Sequence, residues 1–527
     1  MINKLTSDQM QLLGKLVKKK THFKAETQIR EIDMVSLSAA GIHQEEKVFI
    51  KYEDKELDLK QARAKLRKLG VKIANPLPSI GGYSAIVDTS TIEKLEKNGF
   101  TVISNSYVQI VPEPPTDAMT GCMNSPANAL SGSTGGSFIK LDVASPSIGA
   151  DLINNMGYTG KGVGIAIIDT GVAPHPDLIN GNKLVAFKDF VGNREGVDKA
   201  YDDNGHGTHV AGDAAGSGYL SNGLYKGSAP DAHIVGLKVI DSTGGGNVAE
   251  VAERITKAID WVIKHKDEFN IRVINMSLGL PHIMPDFEPV NEASEKAIKA
   301  GITVVVAAGN SGPDEGTINT EPGDNPNVIT VGASDDHNTP SRKDDNVANF
   351  SSRGPTPKGI TKPDIIAPGT EIMSMNVPGS ELSKQALQMA QIREVIKNAK
   401  PDQLKQIGQM LVQQGALPAD AIGLPSEQLR KLLLGAVPYM PMSGEAQIGD
   451  KVGPAYIGMP GTSMASPIVA GVVANMIEAN PELTHYQIKD ILMSTADKFL
   501  EGDANTQGAG YIDVKEAMEK VLALKNK

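Results

Sequence analysis

At 527 residues the chain is too long for one ordinary core, so two or three folding units are expected. Its net charge of −10 comes from 52 Lys+Arg interspersed with 62 Asp+Glu, and the basic residues lack interleaved aromatics, which argues against nucleic-acid binding. A single cysteine, Cys122, excludes an internal disulfide framework and fits a reducing compartment.

Residues 1–41 form an N-terminal extension without an apolar signal core, and the longest apolar run of the chain, 302–308, is only strand-sized. Neither a secretory signal nor a membrane span is expected. Cytoplasmic residence follows, with export by a route that needs no signal peptide left open. Leu5, Met10, Leu13, Leu16 and Val17 predict a short basic amphipathic helix over 4–20, carrying a solvated face rather than a membrane anchor. From 42 to 112 the order strand (48–52), helix (57–69), strand (71–74), strand (83–87), helix (91–97), strand (101–110) predicts a small α+β domain of βαββαβ order. Through Ile110 there are 18 Lys+Arg against 13 Asp+Glu, a net of +5, while the remainder holds 34 against 49, a net of −15. The basic unit should therefore dock on the acidic body. Residues 113–140, rich in Pro, Ser, Thr, Gly and Asn, read as an exposed linker and as the processing region.

Over 141–527 the grammar changes. Continuous apolar runs at 163–168, 232–239, 272–276, 303–308 and 328–331 alternate with helical stretches such as 248–264 and 292–300. That pattern predicts an α/β fold, a doubly wound and mostly parallel sheet with helices on both faces and chemistry at the C-terminal strand ends. Asp169 and Asn310 both fall just past such ends. Between 378 and 450, Leu382, Ala386, Met389, Ile392 and Ile396, then Leu404, Ile407 and Leu411, then Leu429, Leu432 and Leu433 predict three helices inserted into the α/β domain. Their apolar positions are too many for three short helices to enclose. The insertion is expected to pack on the body, another subunit or substrate, and to flank the cleft as a filter against large folded substrates.

Three short stretches carry chemistry. In Gly461-Thr462-Ser463-Met464-Ala465-Ser466-Pro467 a serine precedes a small, apolar helical run, so Ser463 stands at a helix N-terminus where an oxyanion is stabilised. Asn204-Gly205-His206-Gly207-Thr208-His209 supplies an imidazole, and Asp169-Thr170-Gly171 a carboxylate. A serine hydroxyl becomes a useful nucleophile when an imidazole takes its proton, and the imidazole needs a carboxylate to fix its tautomer and stabilise its cation. The adjacent Asp202 and Asp203 read as surface carboxylates.

On these blocks, residues 141–521, the insertion excepted, resemble the subtilisin-like serine proteases (subtilases, peptidase family S8), most of all the intracellular bacterial members. The order Asp, His, Ser is that of subtilisin. The resemblance implies an acyl-enzyme serine endopeptidase made as a self-processing precursor, with Asp169 as orienting acid, His206 as general base then acid, and Ser463 as nucleophile. It implies Asn310 as oxyanion donor, Ser277-Leu278-Gly279 and Gly244-Gly245-Gly246 as the strands that hold an extended peptide or protein substrate, and Ala307, Ala308 and Gly309 as the far wall of S1. A small-walled, uncharged S1 implies broad specificity with apolar or large P1 residues. The leader resembles the family's inhibitory prodomains, so the chain's own N-terminal unit is the expected intramolecular inhibitor. No cofactor is needed for the chemistry. Asp177 matches a calcium ligand of the family and implies a structural calcium, although Asn222 alone offers a side chain in the partner loop at 220–226. A transpeptidase or macrocyclase on this fold would share every motif; a non-catalytic peptide-binding subtilase would lack a triad member or Asn310, and neither is missing.

Overall fold

The computed structural model describes residues 5–21, 45–52, 59–72, 74–103, 109–110, 141–282, 287–337, 339, 341–498 and 502–525. The expected linker at 113–140 lies outside them. The apolar runs of the C-terminal part do form one sheet. Its order is Asn346–Val347, Ile329–Asp335, Thr303–Ala307, Ile271–Met276, Gly164–Asp169, His233–Lys238, Leu184–Asp189, with Ile365–Pro368 also paired to Ile329–Asp335. Every pairing is parallel except that of Asn346–Val347.

Strand periodicity divides the core in two. Ile165 and Ile167 face one cluster with the helices His206–Ala215 and Thr462–Ala479, whereas Ala166 and Ile168 face the other with Val248–His265 and Pro289–Lys299. Both faces are dry, which is why the strands read as continuous rather than alternating. Thr462–Ala479 is buried along its whole length apart from Ser463 and Glu478. Cutting Ile468 to Ala at its centre should cost about 2–5 kcal/mol. Among the described residues no helix is long and apolar enough to cross a membrane.

The N-terminal unit is a four-stranded antiparallel sheet of order Ala74–Leu77, Gly82–Asp88, Glu45–Tyr52, Phe100–Ile103, with helices Leu59–Lys68 and Thr89–Glu96. The strand expected over 101–110 is two strands: Phe100–Ile103 completes this sheet, and Gln109–Ile110 pairs elsewhere, antiparallel to Gly246–Asn247. Phe49, Leu77, Ile80 and Ile103 share a core cluster with Val248–His265 and Pro289–Lys299. Charge follows the same seam: Lys47 Nζ lies 2.6 Å from Glu253 and Lys51 Nζ 2.6 Å from Glu292.

Three helices, Glu381–Asn398, Pro401–Gln413 and Ser426–Ala436, form the expected insertion. Its root is a β-pair, Ile372–Met375 antiparallel to Tyr456–Met459, so the excursion leaves and re-enters the body at one place. Its apolar surplus is covered by the N-terminal helix Ser7–Thr21, whose Met10, Leu13, Leu16 and Val17 are buried in the insertion's own core. The apolar face of this helix is thus packed on residues 389–437, far along the chain, rather than left at the surface.

Candidate active site

Asp169 ends the strand Gly164–Asp169, and His206 opens the helix His206–Ala215 beside it. His206 Nδ1 lies 2.8 Å from Asp169 Oδ1, which also accepts from Thr170 N at 2.7 Å. Asp169 is 1% exposed and its Oδ2 has no partner among the described residues. Burial disfavours the imidazolium, but the Asp169 carboxylate outweighs it, seconded by Asp202 and Asp213, and holds the His206 pKa above the ordinary imidazole value. The base is thereby oriented, and its cation is stabilised when it forms.

Asp202 is not a surface carboxylate. It is buried, and its Oδ1 accepts from Thr170 Oγ1, Asn204 N and Gly205 N while Oδ2 accepts from Thr208 N and Thr208 Oγ1. One side chain thus ties the turn after Asp169 to the loop before His206, and Gly207 N closes the knot on Thr170 Oγ1 at 2.8 Å. Burial pushes the Asp202 carboxyl up against the pull of Lys238 and these donors. Asp203 is the exposed member of the pair and meets the buried Lys238 at 2.7 Å.

Ser463 is the second residue of Thr462–Ala479, at the end whose N–H groups are unpaired within the helix. Its Oγ donates to Ser277 O at 3.3 Å, and Ser277 Oγ donates to Ser463 O at 2.8 Å. Asn275 extends the staple by donating to Ser277 Oγ at 3.0 Å and accepting from Ser466 Oγ at 2.6 Å. The end of strand Ile271–Met276 and the serine turn are therefore fixed to each other on both sides. Asn310 Oδ1 accepts from Thr462 N at 2.8 Å and Thr462 Oγ1 at 3.0 Å, and Gly309 N donates to that same hydroxyl at 3.1 Å. With its oxygen so occupied, the Asn310 amide has its orientation set and its Nδ2 donors left for another acceptor.

Of the residues expected to hold a peptide, Gly246 is already in a ladder, paired with Ile110 of the chain's own N-terminal part. Gly244 and Gly245 precede it and are buried. Ser277 and Leu278 are buried, and Gly279 runs into Leu280–Pro281, which pairs with Thr320–Glu321. A Cβ on Gly279 would come within 2.7 Å of Thr320 Oγ1, so Thr320 packs directly against Gly279. Behind it Glu321 accepts from Val290 N at 2.9 Å and Asn291 N at 3.0 Å, and burial pushes its carboxyl up to about 8.

Asp177 does not fit a calcium site. It is fully buried, its Oδ1 accepts from Leu220 N at 3.1 Å, and its Oδ2 accepts from the Tyr456 hydroxyl at 2.8 Å. Asn222 adds no second carboxylate, and among the described residues no group of three or more His, Cys, Asp or Glu is arranged to hold a metal ion.

Thr462, Thr320, Asp202 and Tyr456 were not singled out by sequence for these tasks. Thr462 lay inside the serine motif, and its spacing to Ser463 was the available signal.

Comparison with known proteins places the chain in a family. The profile of the Subtilase family matches residues 160–406 and 440–510, passing over 407–439 within the helical insertion. The chain is 38% identical to Serine protease AprX of Bacillus subtilis (strain 168) over 368 residues, 69% of this chain and 68% of that protein. It is 29% identical to Subtilisin Savinase of Lederbergia lenta, over 70% of this chain and 95% of that one. Among solved structures, fervidolysin from Fervidobacterium pennivorans, described as a keratinolytic enzyme related to subtilisin, superposes with a TM-score of 0.58 at 21% identity. That likeness covers 93% of this chain and 62% of fervidolysin, and it bears on the fold alone.

Proposed function

The chain belongs to the subtilase family and is a subtilisin-like serine protease, and from that premise we propose an endopeptidase that works through an acyl-enzyme on Ser463 and is made as a self-inhibited, self-processing precursor. The observation that carries the catalytic part is the 2.8 Å contact of His206 with the buried Asp169. His206 Nε2 takes the Ser463 proton as Oγ leaves its contact with Ser277 and attacks the scissile carbonyl. The tetrahedral oxyanion accepts from Asn310 Nδ2 and from the Ser463 N–H at the helix terminus. Collapse breaks the C–N bond, His206 returns the proton to the departing amine, and water repeats the sequence on the ester. Asp169 stays ionised throughout.

The inhibitory part draws support from the ladder between Gln109–Ile110 and Gly246–Asn247, which occupies one of the two strands expected to hold a substrate. The salt-bridged seam of Lys47 and Lys51 supports it further. Processing then falls C-terminal to Ile110. An S1 walled by Gly279, Thr320, Ala307 and Ala308, none of them charged, favours apolar or large P1 residues. Residence in the cytoplasm remains part of the proposal, as does a peptide or protein substrate. Incubation with casein, with and without a serine-directed phosphonate, followed by mass analysis of products and enzyme tests the whole reading. Hydrolysed fragments, a shortened N-terminus and their joint loss on phosphonylation are expected; ligated or cyclised products would instead favour the transpeptidase.

A further inference from the structure

Outside the active site, the N-terminal helix Ser7–Thr21 and the helical insertion share a core of their own. Among the described residues, the other buried members of the cluster containing Met10, Leu13, Leu16 and Val17 all come from residues 389–437, and the N-terminal helix touches all three helices of the insertion. Its buried positions recur at i, i+3, i+6 and i+7, one stripe of a helix. Opposite them Leu404, Leu411, Leu429 and Leu433 have no exposure.

Gly14 explains how closely the helix approaches. Glycine is a poor residue for mid-helix, yet a Cβ here would collide with the Gln414 carboxamide and reach Leu411 Cδ2 at 3.7 Å. Gln9 Nε2 donates to Gln391 Oε1 at 3.0 Å along the rim. One side of the seam remains open as a cleft of about 1320 Å³, lined by glutamines that include Gln9, Gln391, Gln403 and Gln413. The helix is laid into the insertion along one stripe; it is not wrapped by it.

We propose that the helical insertion is a receptor for the N-terminal helix, that it holds the leader to the body at a site separate from the cleft, and that the helix stays docked after the chain ahead of the catalytic domain has been cut. The occupant is the chain's own residues 7–21. Three helices cannot enclose so many apolar side chains, and this fourth one completes the core. Beyond the helix, residues 22–44 lead to the strand Glu45–Tyr52. A cut past Ile110 therefore leaves helix and sheet in one piece, attached at two places. For two linked sites of this kind avidity exceeds either alone by about 10²–10⁴. That consequence rests on the leader being the inhibitor; the docking itself does not. Release of the inhibitory sheet then needs a second cut within 22–44.

The test uses the full chain with Ser463→Ala and a recognition sequence for a specific protease placed within residues 22–44. After cutting, gel filtration with mass detection reads whether the helix fragment travels with the body. It is expected to co-elute, and a labelled synthetic peptide of residues 1–21 is expected to exchange into the complex, whereas the same peptide carrying Leu13→Asp and Leu16→Asp is excluded. A fragment that elutes free, or an Asp-bearing peptide that exchanges equally well, overturns the proposal. The substitutions sit in the peptide alone, so folding of the body is not at issue. Because the readout is binding to a chain without the nucleophile, loss of docking leaves the inhibitory reading standing, and a leader that fails to inhibit leaves the docking standing.

Discussion

Leu382 N donates to Asn204 O at 2.9 Å, which roots the helical insertion two residues from the imidazole of His206. Glu381 N donates to Asp203 O at 3.0 Å in the same way. Gly205, between Asn204 and His206, has φ +104°, and a Cβ there would come within 2.7 Å of Ser380 Oγ and 3.2 Å of Leu382 Cβ. Gly205→Ala therefore meets both a left-handed backbone, unfavourable for alanine by about 1–2 kcal/mol, and the insertion's first turn. A displaced His206 should lower kcat/KM on a tetrapeptide by about 10²-fold, with a native circular dichroism spectrum. Unchanged turnover would mean that the insertion's root does not set the position of the base.

Asn310 is oriented from the neighbouring turn. Thr462→Val removes one of two donors to its Oδ1 and frees Gly309 N as well. The effect should fall on kcat rather than KM, by about tenfold, since the amide acts on charge that develops in the transition state. Asn310→Leu, which deletes the donor, should cost roughly 10²–10³ in kcat, as loss of such a donor does in subtilisin. Equal effects of both variants on KM alone would remove Asn310 from the oxyanion site.

The basic leader meets a nearly buried acid. Glu253 is 3% exposed and receives Lys47 at 2.6 Å and Lys257 at 2.5 Å. Burial raises its carboxyl, but hydrogen bonds from Lys257 and Lys47 overcome that and hold it below the ordinary carboxylate value. Lys47→Glu sets two carboxylates against each other across the seam. Active sites, counted with a burst titrant, should appear sooner after dilution from the precursor than in the unaltered chain. Added salt should narrow the difference, since it screens the repulsion that the substitution introduces. A later appearance would contradict the charge-guided seam.

Much of this was legible because single residues carry it. Asp169, His206, Ser463 and Asn310 stand in short blocks whose glycines and strand-end placement point to the same chemistry. The parallel sheet was legible too, since burial on both faces erases alternation. Contacts between distant segments were not. Nothing local in Leu13 or Leu16 names Leu411 or Leu429 as partners. Asp202 belongs to an Asp-Asp pair that reads as solvated, and only the fold brings five donors to it. The stretch 101–110 has one strand-like composition, yet its two ends serve different sheets.

Tyr456 does for Asp177 what a metal was expected to do. Its hydroxyl donates to Oδ2 at 2.8 Å inside a fully buried pocket shared with His175, whose own pKa burial holds below the ordinary imidazole value. Tyr456→Phe leaves a buried carboxylate oxygen without that donor, a loss of about 1–3 kcal/mol. In a thermal melt this variant should fall in Tm with and without a chelator alike. A Tyr456→Phe chain whose Tm recovers on adding calcium would show that Asp177 can still take the ion.

The central claim is that Ser463 is the nucleophile driven by His206 and Asp169, and covalent labelling tests it most directly. The chain is treated with a fluorophosphonate and the modified residue is read by peptide mass mapping. One adduct per chain is expected, on Ser463, formed in step with loss of peptidase activity, absent in Ser463→Ala and slowed by orders of magnitude in His206→Ala. An adduct on another residue, or a Ser463→Ala chain that retains turnover within about tenfold of the unaltered enzyme, would contradict the account.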